Sequence, residues 1–547
     1  MVSYMATHHH HHILIYLLVL IIVVSHVQSS NPWSSSAVIK EACKSTRFPT
    51  SCQLSLIKSG LVSPDHSTPF QVLQSALSVS SNNLEKTRFM IHNILNYSKN
   101  KEKNHTTITT TQLCLDVLSY SAYRLKTAEK LFQHVVRIKD ARAWTSAALS
   151  YQFDCLSGLK KVHQTQMVSK TCSFMNNTLL SSTSNALSMM MSYQEFGNIT
   201  ELWRSPKTER EGFWESLGDG SGTSGHKPGV PGGLKANVTV CKGRGVCTYE
   251  KVQTAINAAP DNLARGEHFV IGIREGVYEE IVRVGFAKRN VVLIGDGMGK
   301  TVITGSLSVG KLGITTYDTA TVGVVGDGFM ARHLTIQNTA GPDAHQAVAF
   351  RSDSDLSVIE NCEFIGNQDT LYAHSLRQLY KFCVIQGNVD FIFGNSASIF
   401  HKCTILIRPR QLDPEKGDNS VISAHGRSDP AQTTGFVFQE CILSGTNEYI
   451  EMYRKNPQAH QTFLGRPWKE YSRSVFIKCE MDAIVSPLGW MRWDGDFALK
   501  TLYFGEFGNF GLGSNTSARV WWSSRTPPAH VYAYSMHNFI QADEWVC

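Results

Sequence analysis

No apolar run in this chain is long enough to cross a membrane. The longest, Ile13 to Val24, has 12 residues. As a helix that rises about 18 Å, short of the ~30 Å hydrocarbon core of a bilayer. The length fits the apolar segment of a secretion signal, and polar Ser25 to Ser30 follow it. The basic residues that usually precede such a segment are also missing, and His8 to His12 stand in their place. Residues 1–29 are therefore expected to be a signal peptide, with a retained signal anchor as the alternative. The histidine run has no fixed geometry and is not read as a metal site. A phosphate-binding loop is absent too. Gly295-Asp-Gly-Met-Gly-Lys-Thr301 ends correctly, but Ile294 stands where a Walker loop needs its first glycine. The segment reads as a turn between strands.

What is present points to a secreted, multidomain protein. Apolar residues make up 42% of the chain, which excludes a disordered polymer. A length of 547 residues predicts two or three domains. Thirteen cysteines suit an oxidising compartment, and the odd count leaves at least one thiol without a partner in the chain. Six glycosylation sequons, at Asn96, Asn104, Asn176, Asn198, Asn237 and Asn515, agree with secretion. The net charge of +7 favours an acidic partner, either nucleic acid or an anionic polysaccharide.

The two halves have different periods. Leu118, Ala122, Leu125, Ala128, Phe132 and Val135 follow steps of three and four, as do Trp144, Ala147, Ala148, Tyr151, Cys155 and Leu159. These are stripes of amphipathic helices and predict an all-α four-helix bundle over 34–205. Cys43 and Cys52 can staple a short helical hairpin, and Cys114 and Cys155 can join two longer helices. Glycine and proline crowd Gly218 to Gly233, so 206–233 reads as a linker. From 234 to 547 strand-like runs take over, such as Asn290-Val-Val-Leu-Ile and Gly435-Phe-Val-Phe. One helix is expected at Tyr249 to Ala258, capped by Thr248 and ended by Pro260.

Within that second half a pattern repeats about every 20 residues. Cys362, Cys383 and Cys403 are spaced 21 and 20 apart, each at the end of a short strand, and Cys441 and Cys479 recur in the matching place. Such a repeat is one coil of a parallel β-helix, whose successive coils lie ~4.8 Å apart. Cys362 and Cys383 are either disulfide partners or stacked small residues. Asp369 and Asp390 are likewise 21 apart, so they are expected to stand side by side on adjacent coils. Two close carboxylates do not both ionise easily, which predicts one acid and one nucleophile or base. Gln346 lies 22 residues before Gln368. Both would bring neutral amide donors to the pair, as acyl transfer needs.

The segments Gly276-Val-Tyr-Glu-Glu280, Gln346-Ala-Val-Ala-Phe-Arg351, Gly366-Asn-Gln-Asp-Thr-Leu-Tyr372, Asp390-Phe-Ile-Phe-Gly394 and Leu464-Gly-Arg-Pro-Trp468 resemble, in order, the signature blocks of plant pectin methylesterases. Residues Ser34 to Ser205 are similar to the pectin methylesterase inhibitor domain, with Cys43, Cys52, Cys114 and Cys155 as its four-cysteine pattern. The resemblance implies a right-handed parallel β-helix behind an inhibitor-like pro-region, acting on methyl-esterified homogalacturonan in the cell wall. It implies Asp390 as nucleophile, Asp369 as acid and then base, and Gln346 and Gln368 as oxyanion donors. Arg466 would hold Asp390 ionised, Trp468 and Trp490 would stack on sugar rings, and Thr316 would contact substrate. Amide donors do the electrophilic work, so neither metal nor cofactor is called for, and nucleic acid gives way to polysaccharide as the partner.

Some positions depart from the family pattern. Asn367, Asn388 and His425 replace a common tyrosine, threonine and glutamine, and are expected at the rim of the cleft. The dibasic processing motif is missing, with only Lys207-Thr-Glu-Arg210 near its place. Ser444 to His460 reads as an insertion. Two rival readings are a pectin chain-cleaving enzyme on the same solenoid and a non-catalytic pectin-binding or esterase-inhibiting protein.

Overall fold

In the computed structural model, residues 34–545 are described apart from 63–66, 132–136, 216–228, 244–245, 312 and 411–418. The expected signal peptide, His8 to His12, most of the glycine-rich linker, and Phe132 and Val135 lie outside the described residues.

The first half is helical. Helices α1 (Ser34–Lys44) and α2 (Pro49–Ser59) form a hairpin closed by the Cys43–Cys52 disulfide. Four long rods follow: α3 (Pro69–Tyr97), α4 (His105–Leu131), α5 (Ile138–Leu159), and α6 (Gln166–Phe174) running through a π turn into α7 (Leu180–Phe196). Thr68 and Gln71 form a reciprocal capping box that starts α3. Cys114–Cys155 ties α4 to α5. The sequence stripes face inward, with Leu118, Leu125, Ala128, Ala148 and Tyr151 fully buried. Ala122 and Trp144, at the stripe edges, are only half-buried within the bundle and its surroundings.

The second half winds into three parallel sheets of 11, 7 and 8 strands. The register is continuous from coil to coil, with Val358, Leu379, Ile399, Val437 and Val475 aligned. Inside, Tyr380, Phe400, Phe438 and Phe476 stack at centroid distances of 4.9, 4.7 and 4.3 Å. At one corner of each coil a residue turns through positive φ: Asn361, Phe382, Lys402, Glu440 and Lys478. A cysteine follows each of them.

Those five cysteines are buried and unbridged. Cys362 and Cys383 are therefore not disulfide partners, contrary to one of the two expectations. Each thiol lies over the backbone of the preceding coil: Cys383 Sγ is 3.5 Å from the Ile359 carbonyl, and Cys441 Sγ is 3.2 Å from that of Phe400. A thiol is small and apolar enough for a tight corner and donates weakly to that carbonyl. Cys241 and Cys247 do pair.

A short helix, Val252–Asn257, packs against the first coils, but Thr248 does not cap it. The Glu280 carboxylate accepts from the Val252 and Gln253 amides at 3.0 and 3.1 Å, while Thr248 bonds Thr239. Gly295 to Thr301 is a turn between two strands, as expected. Part of Ser444 to His460 is a helix, Asn447–Lys455.

The bundle docks along the solenoid through buried polar pairs. Arg124 of α4 makes a forked pair with Asp327 at 2.6 and 2.7 Å. Arg377 of the solenoid bridges its own Asp355 and Asp140 of α5. Trp144 donates to Asp355 at 2.8 Å, so the stripe edge that looked like core serves the interface. After α7, Glu209 is buried against Arg473 and Arg427. The Lys207 to Arg210 segment is thus folded onto the solenoid, with Thr208 and Glu211 forming a capping box there.

Candidate active site

The seven-stranded sheet carries the site. Its strands run, in spatial order, Thr462–Pro467, Ser420–His425, Val389–Gly394, Leu371–Ala373, Phe350–Ser352, Val322–Val324 and Val282–Val284. Leu371 pairs with Ile392, an offset of 21 that puts Asp369 and Asp390 on adjacent coils. The Asp369 amide donates to the Val389 carbonyl at 3.1 Å. Both aspartates have positive φ, 64° and 48°. Such a conformation is unfavourable for a side chain other than glycine and is common where backbone strain aims a functional group. Next to Asp390 the ladder slips between Val389 and Ile392. This bulge sends both Phe391 and Ile392 into the core and leaves Asp390 free to point away from it.

The electrostatics separate the two acids. Burial, and then the Asp390 charge, push the Asp369 carboxyl well above the usual carboxylate range, with Arg466 opposing weakly. Burial raises Asp390 as well, but Arg466 opposes by hydrogen bond and by charge. Its Nε and Nη2 meet Asp390 Oδ1 and Oδ2 at 2.8 and 2.6 Å. Arg466 opposes protonation of Asp390, the direction expected of it, but desolvation is the larger effect and the carboxyl stays above its usual value. A proton shared by the pair belongs on Asp369.

Gln346 and Gln368 lie on consecutive coils, where the Ala347 amide bonds the Gln368 carbonyl at 3.2 Å. Both are half-buried. Thr316, Gln346 and Trp468 line one cavity of about 450 Å³ together with Tyr317 and Tyr372. Tyr372 stacks on Phe393 at 4.1 Å, and Phe393 meets Trp468 edge-on at 5.9 Å. This makes an aromatic floor beside the acids. Gly426 is required there, since a Cβ on it would meet the Trp468 ring at 2.8 Å.

Trp490 is not part of this surface. It is 1% exposed, stacks on Phe504 at 4.4 Å and donates to Glu506. Trp493, three residues on, is 39% exposed and lies 4.5 Å under the Arg466 guanidinium. The strand bridge Gly465↔Trp490 fixes which of the two turns inward, and that bridge has no signature in the local sequence.

His425, Asn367 and Asn388 are not at a rim either. His425 is fully buried; its Nδ1 accepts from the Arg427 and Arg473 amides at 3.3 and 3.2 Å. Burial holds it well below the usual histidine range, hence neutral. Asn388 donates to Asn367 and to the Pro409 carbonyl behind the acids.

Residues 237–543 match the pectinesterase family, and residues 37–189 match the family of plant invertase and pectin methylesterase inhibitors. The chain belongs to the pectinesterase family. It is 58% identical, over 93% of its length and 84% of the relative's, to the probable pectinesterase/pectinesterase inhibitor 64 of Arabidopsis thaliana. It is 40% identical to pectinesterase 2 of Citrus sinensis over 74% of each chain. The solved structure of pectin methylesterase from carrot superposes with a TM-score of 0.54 at 42% identity, covering 57% of this chain and 95% of that one.

This pectinesterase places one further group at the cleft that the sequence did not reveal. Asp154 of α5 reaches the solenoid and stands 2.9 Å from His374 Nε2, while His374 Nδ1 stands 2.8 Å from Asp353. Burial lowers the histidine, but the two carboxylates outweigh it and lift it to about 9. His374 is a charged link between the two domains. No signal in the sequence joins residues 154 and 374, since only the docking of the bundle brings them together.

Proposed function

We propose that Asp390 is the nucleophile in the hydrolysis of homogalacturonan methyl esters to pectate and methanol. The Asp390 carboxylate attacks the C6 carbonyl, and the electron pair of the C=O moves onto oxygen. Gln346 and Gln368 donate to that oxyanion. As the tetrahedral centre collapses, the C–OCH₃ bond breaks and Asp369 gives its proton to the departing methanol. Asp369 then takes a proton from water, whose oxygen attacks the acyl carbon and releases Asp390 and a free galacturonate. Trp468 and Trp493 bind the sugar rings, and Thr316 contacts substrate. The observation that carries this reading is the pairing of an Arg466-forked Asp390 with a strongly proton-retaining Asp369 one coil away.

Asp390→Asn should keep the fold by circular dichroism and release no methanol from methylated pectin. Wild-type methanol release by that variant would exclude the mechanism. Formation of new reducing ends or unsaturated products would instead favour a chain-cleaving enzyme.

The bundle acts, in this reading, as an inhibitor in cis. Helices α4 and α5 form one wall of the cavity that Gln346, Tyr372 and Trp468 line from the other side, so the docked bundle would compete with a polymer for that face. A protease site placed within residues 216–228, followed by separation of the halves, should raise methanol release. The protein is read as secreted to the cell wall; among the described residues no helix is long and apolar enough to cross a membrane.

A further inference from the structure

Asn367 and Asn388 are 21 residues apart, one coil, and each stands two residues before an acid of the pair. Position 388 is one where this chain departs from the threonine common in the family pattern. A threonine hydroxyl has one proton to give. An amide has two, and keeps an oxygen to accept with. Asn388 uses all of that capacity and is 1% exposed. Its Oδ1 accepts from the Val389 amide at 2.8 Å. Its Nδ2 donates to the Pro409 carbonyl at 3.0 Å and to Asn367 Oδ1 at 3.4 Å. The main chain is tied as well: the Asn388 amide donates to the Asn367 carbonyl at 3.2 Å, and the Asn388 carbonyl accepts from the Val421 amide at 2.9 Å. One residue thus joins the coil of Asp369, the strand that enters Asp390 and the coil beyond. The coils have no slack at this point, since a Cβ on Gly387 would meet the Asn367 carbonyl at 2.8 Å.

Pro409 is the residue before Arg410, and Arg410 is the second cation, after Arg466, whose charge acts on Asp390. Arg410 Nη1 donates to the Asn419 carbonyl at 2.7 Å. The charged groups that face Asp390 are therefore Arg466 from the strand Thr462–Pro467, Asp369 from the preceding coil, and Arg410 from the segment after the strand Thr404–Ile407. Asn388 holds the backbone behind two of them, that of Asp369 through Asn367 and that of Arg410 through Pro409. It also fixes the Val389 amide, next to the Asp390 turn at φ 48°. A side chain other than glycine keeps such a turn only where its surroundings impose it.

Resting on the reading of Asp390 as nucleophile, we propose that Asn388 is its positioning residue: the side-chain amide of Asn388 holds Asp390, Asp369 and Arg410 in one fixed relation across neighbouring coils. A nucleophile displaced by about 1 Å from its line of attack loses up to about 10²-fold in rate, while the contacts that bind the polymer remain. Drift of Arg410 removes part of the positive charge that keeps Asp390 ionised, so the carboxylate form is lost at a higher pH.

The test measures methanol release from methylated pectin against pH on the full chain. Asn388→Ala should lower kcat about tenfold or more, leave KM near its wild-type value, and move the acid limb of kcat/KM to higher pH by less than removal of Arg466 does. Asn388→Thr keeps one donor and should recover part of both changes. Gln378→Ala is the structural counterpart. That buried amide donates to the Ser352 and Ser375 carbonyls at 2.8 Å each, and its strand belongs to the eleven-stranded sheet. Gln378→Ala should lower the melting temperature while kcat and the acid limb stay in place. Asn388→Ala with wild-type kcat and acid limb would overturn the proposal. So would Gln378→Ala reproducing both changes, because the effect would then be lost stability. If Asn388→Ala does not fold, Asn388→Thr decides, and a wild-type profile there overturns it. Methanol release by Asp390→Asn would remove the esterase mechanism itself. A dead Asp390→Asn beside an unchanged Asn388→Ala would remove this role and leave that mechanism standing.

Discussion

Arg466 grips Asp390 fork to fork, with Nε at 2.8 Å from one oxygen and Nη2 at 2.6 Å from the other. Burial drives the Asp390 carboxyl upward, and Arg466 supplies the opposing charge. Removing the cation therefore moves the Asp390 pKa up. The carboxylate form is the nucleophile, so activity is lost as pH falls through that value. Arg466→Ala should shift the acid limb of kcat/KM to higher pH by roughly one unit or more. Arg466→Lys keeps the charge but loses the fork, and should fall between the two. An unmoved acid limb in Arg466→Ala would separate the arginine from the nucleophile.

Trp490 and Trp493 should fail in different ways. Trp490 is core, so Trp490→Ala should cost about 3–5 kcal/mol of stability. Trp493 is exposed beside Arg466. Trp493→Ala should leave the melting temperature nearly unchanged and raise KM for pectin. A chemical melt and a Michaelis plot on both variants distinguish the two roles.

Gln346→Ala should lower kcat by about 10²–10³-fold, the usual cost of one oxyanion donor. A rise in KM with unchanged kcat would assign Gln346 to ground-state binding instead.

The solenoid was legible in the sequence because its register is a translation. The same inward position recurs every 20 or 21 residues, so Cys362, Cys383 and Cys403 expose the coil length, and Asp369 and Asp390 follow from it. The bundle's core was legible through its three-and-four steps. What stayed hidden depends on contacts without a period. The bulge after Val389, the inward turn of Trp490 and the capping of the Val252 helix by Glu280 each come from a neighbour on another coil. The docked interface was least legible. Trp144 sits in a helical stripe and yet bonds Asp355, because a stripe shows which face is covered and not what covers it.

His374 makes that interface sensitive to pH. It faces Asp353 from its own sheet and Asp154 from α5, with Tyr151, Tyr317 and Tyr372 packed around the ring. Its pKa rises from the unfolded value near 6.5 to about 9 on docking and folding. The stabilisation is therefore complete below about pH 6.5 and fades as pH climbs through about 9, on the order of 3 kcal/mol in all. Asp154→Asn should flatten that loss. If the bundle inhibits in cis, wild-type methanol release should rise across the same interval more than that of Asp154→Asn. Melting curves and initial rates at pH 6 and 9.5 check both.

Thiol chemistry should divide the molecule along the same boundary. Cys43–Cys52 and Cys114–Cys155 lie in the bundle, and a bridge that closes a loop the size of the second stabilises by about 3–4 kcal/mol. The solenoid's corner cysteines carry no bridge to lose. Burial pushes the Cys362 thiol up to about 12 and holds Cys403, Cys441 and Cys479 well above the ordinary thiol range. A thiolate is the reactive form, so these groups are inert while the coils remain stacked. Mild reductant should lower the melting transition of the bundle by more than that of the solenoid, whose first coil carries only the small Cys241–Cys247 loop among the described residues. An alkylating reagent applied to the native protein, followed by peptide mapping, should leave Cys362, Cys403, Cys441 and Cys479 unlabelled, and denaturant should expose them together. Labelling of one of the four in native buffer would mean that the corner opens locally, and the ladder would then be a flexible seam rather than a rigid one.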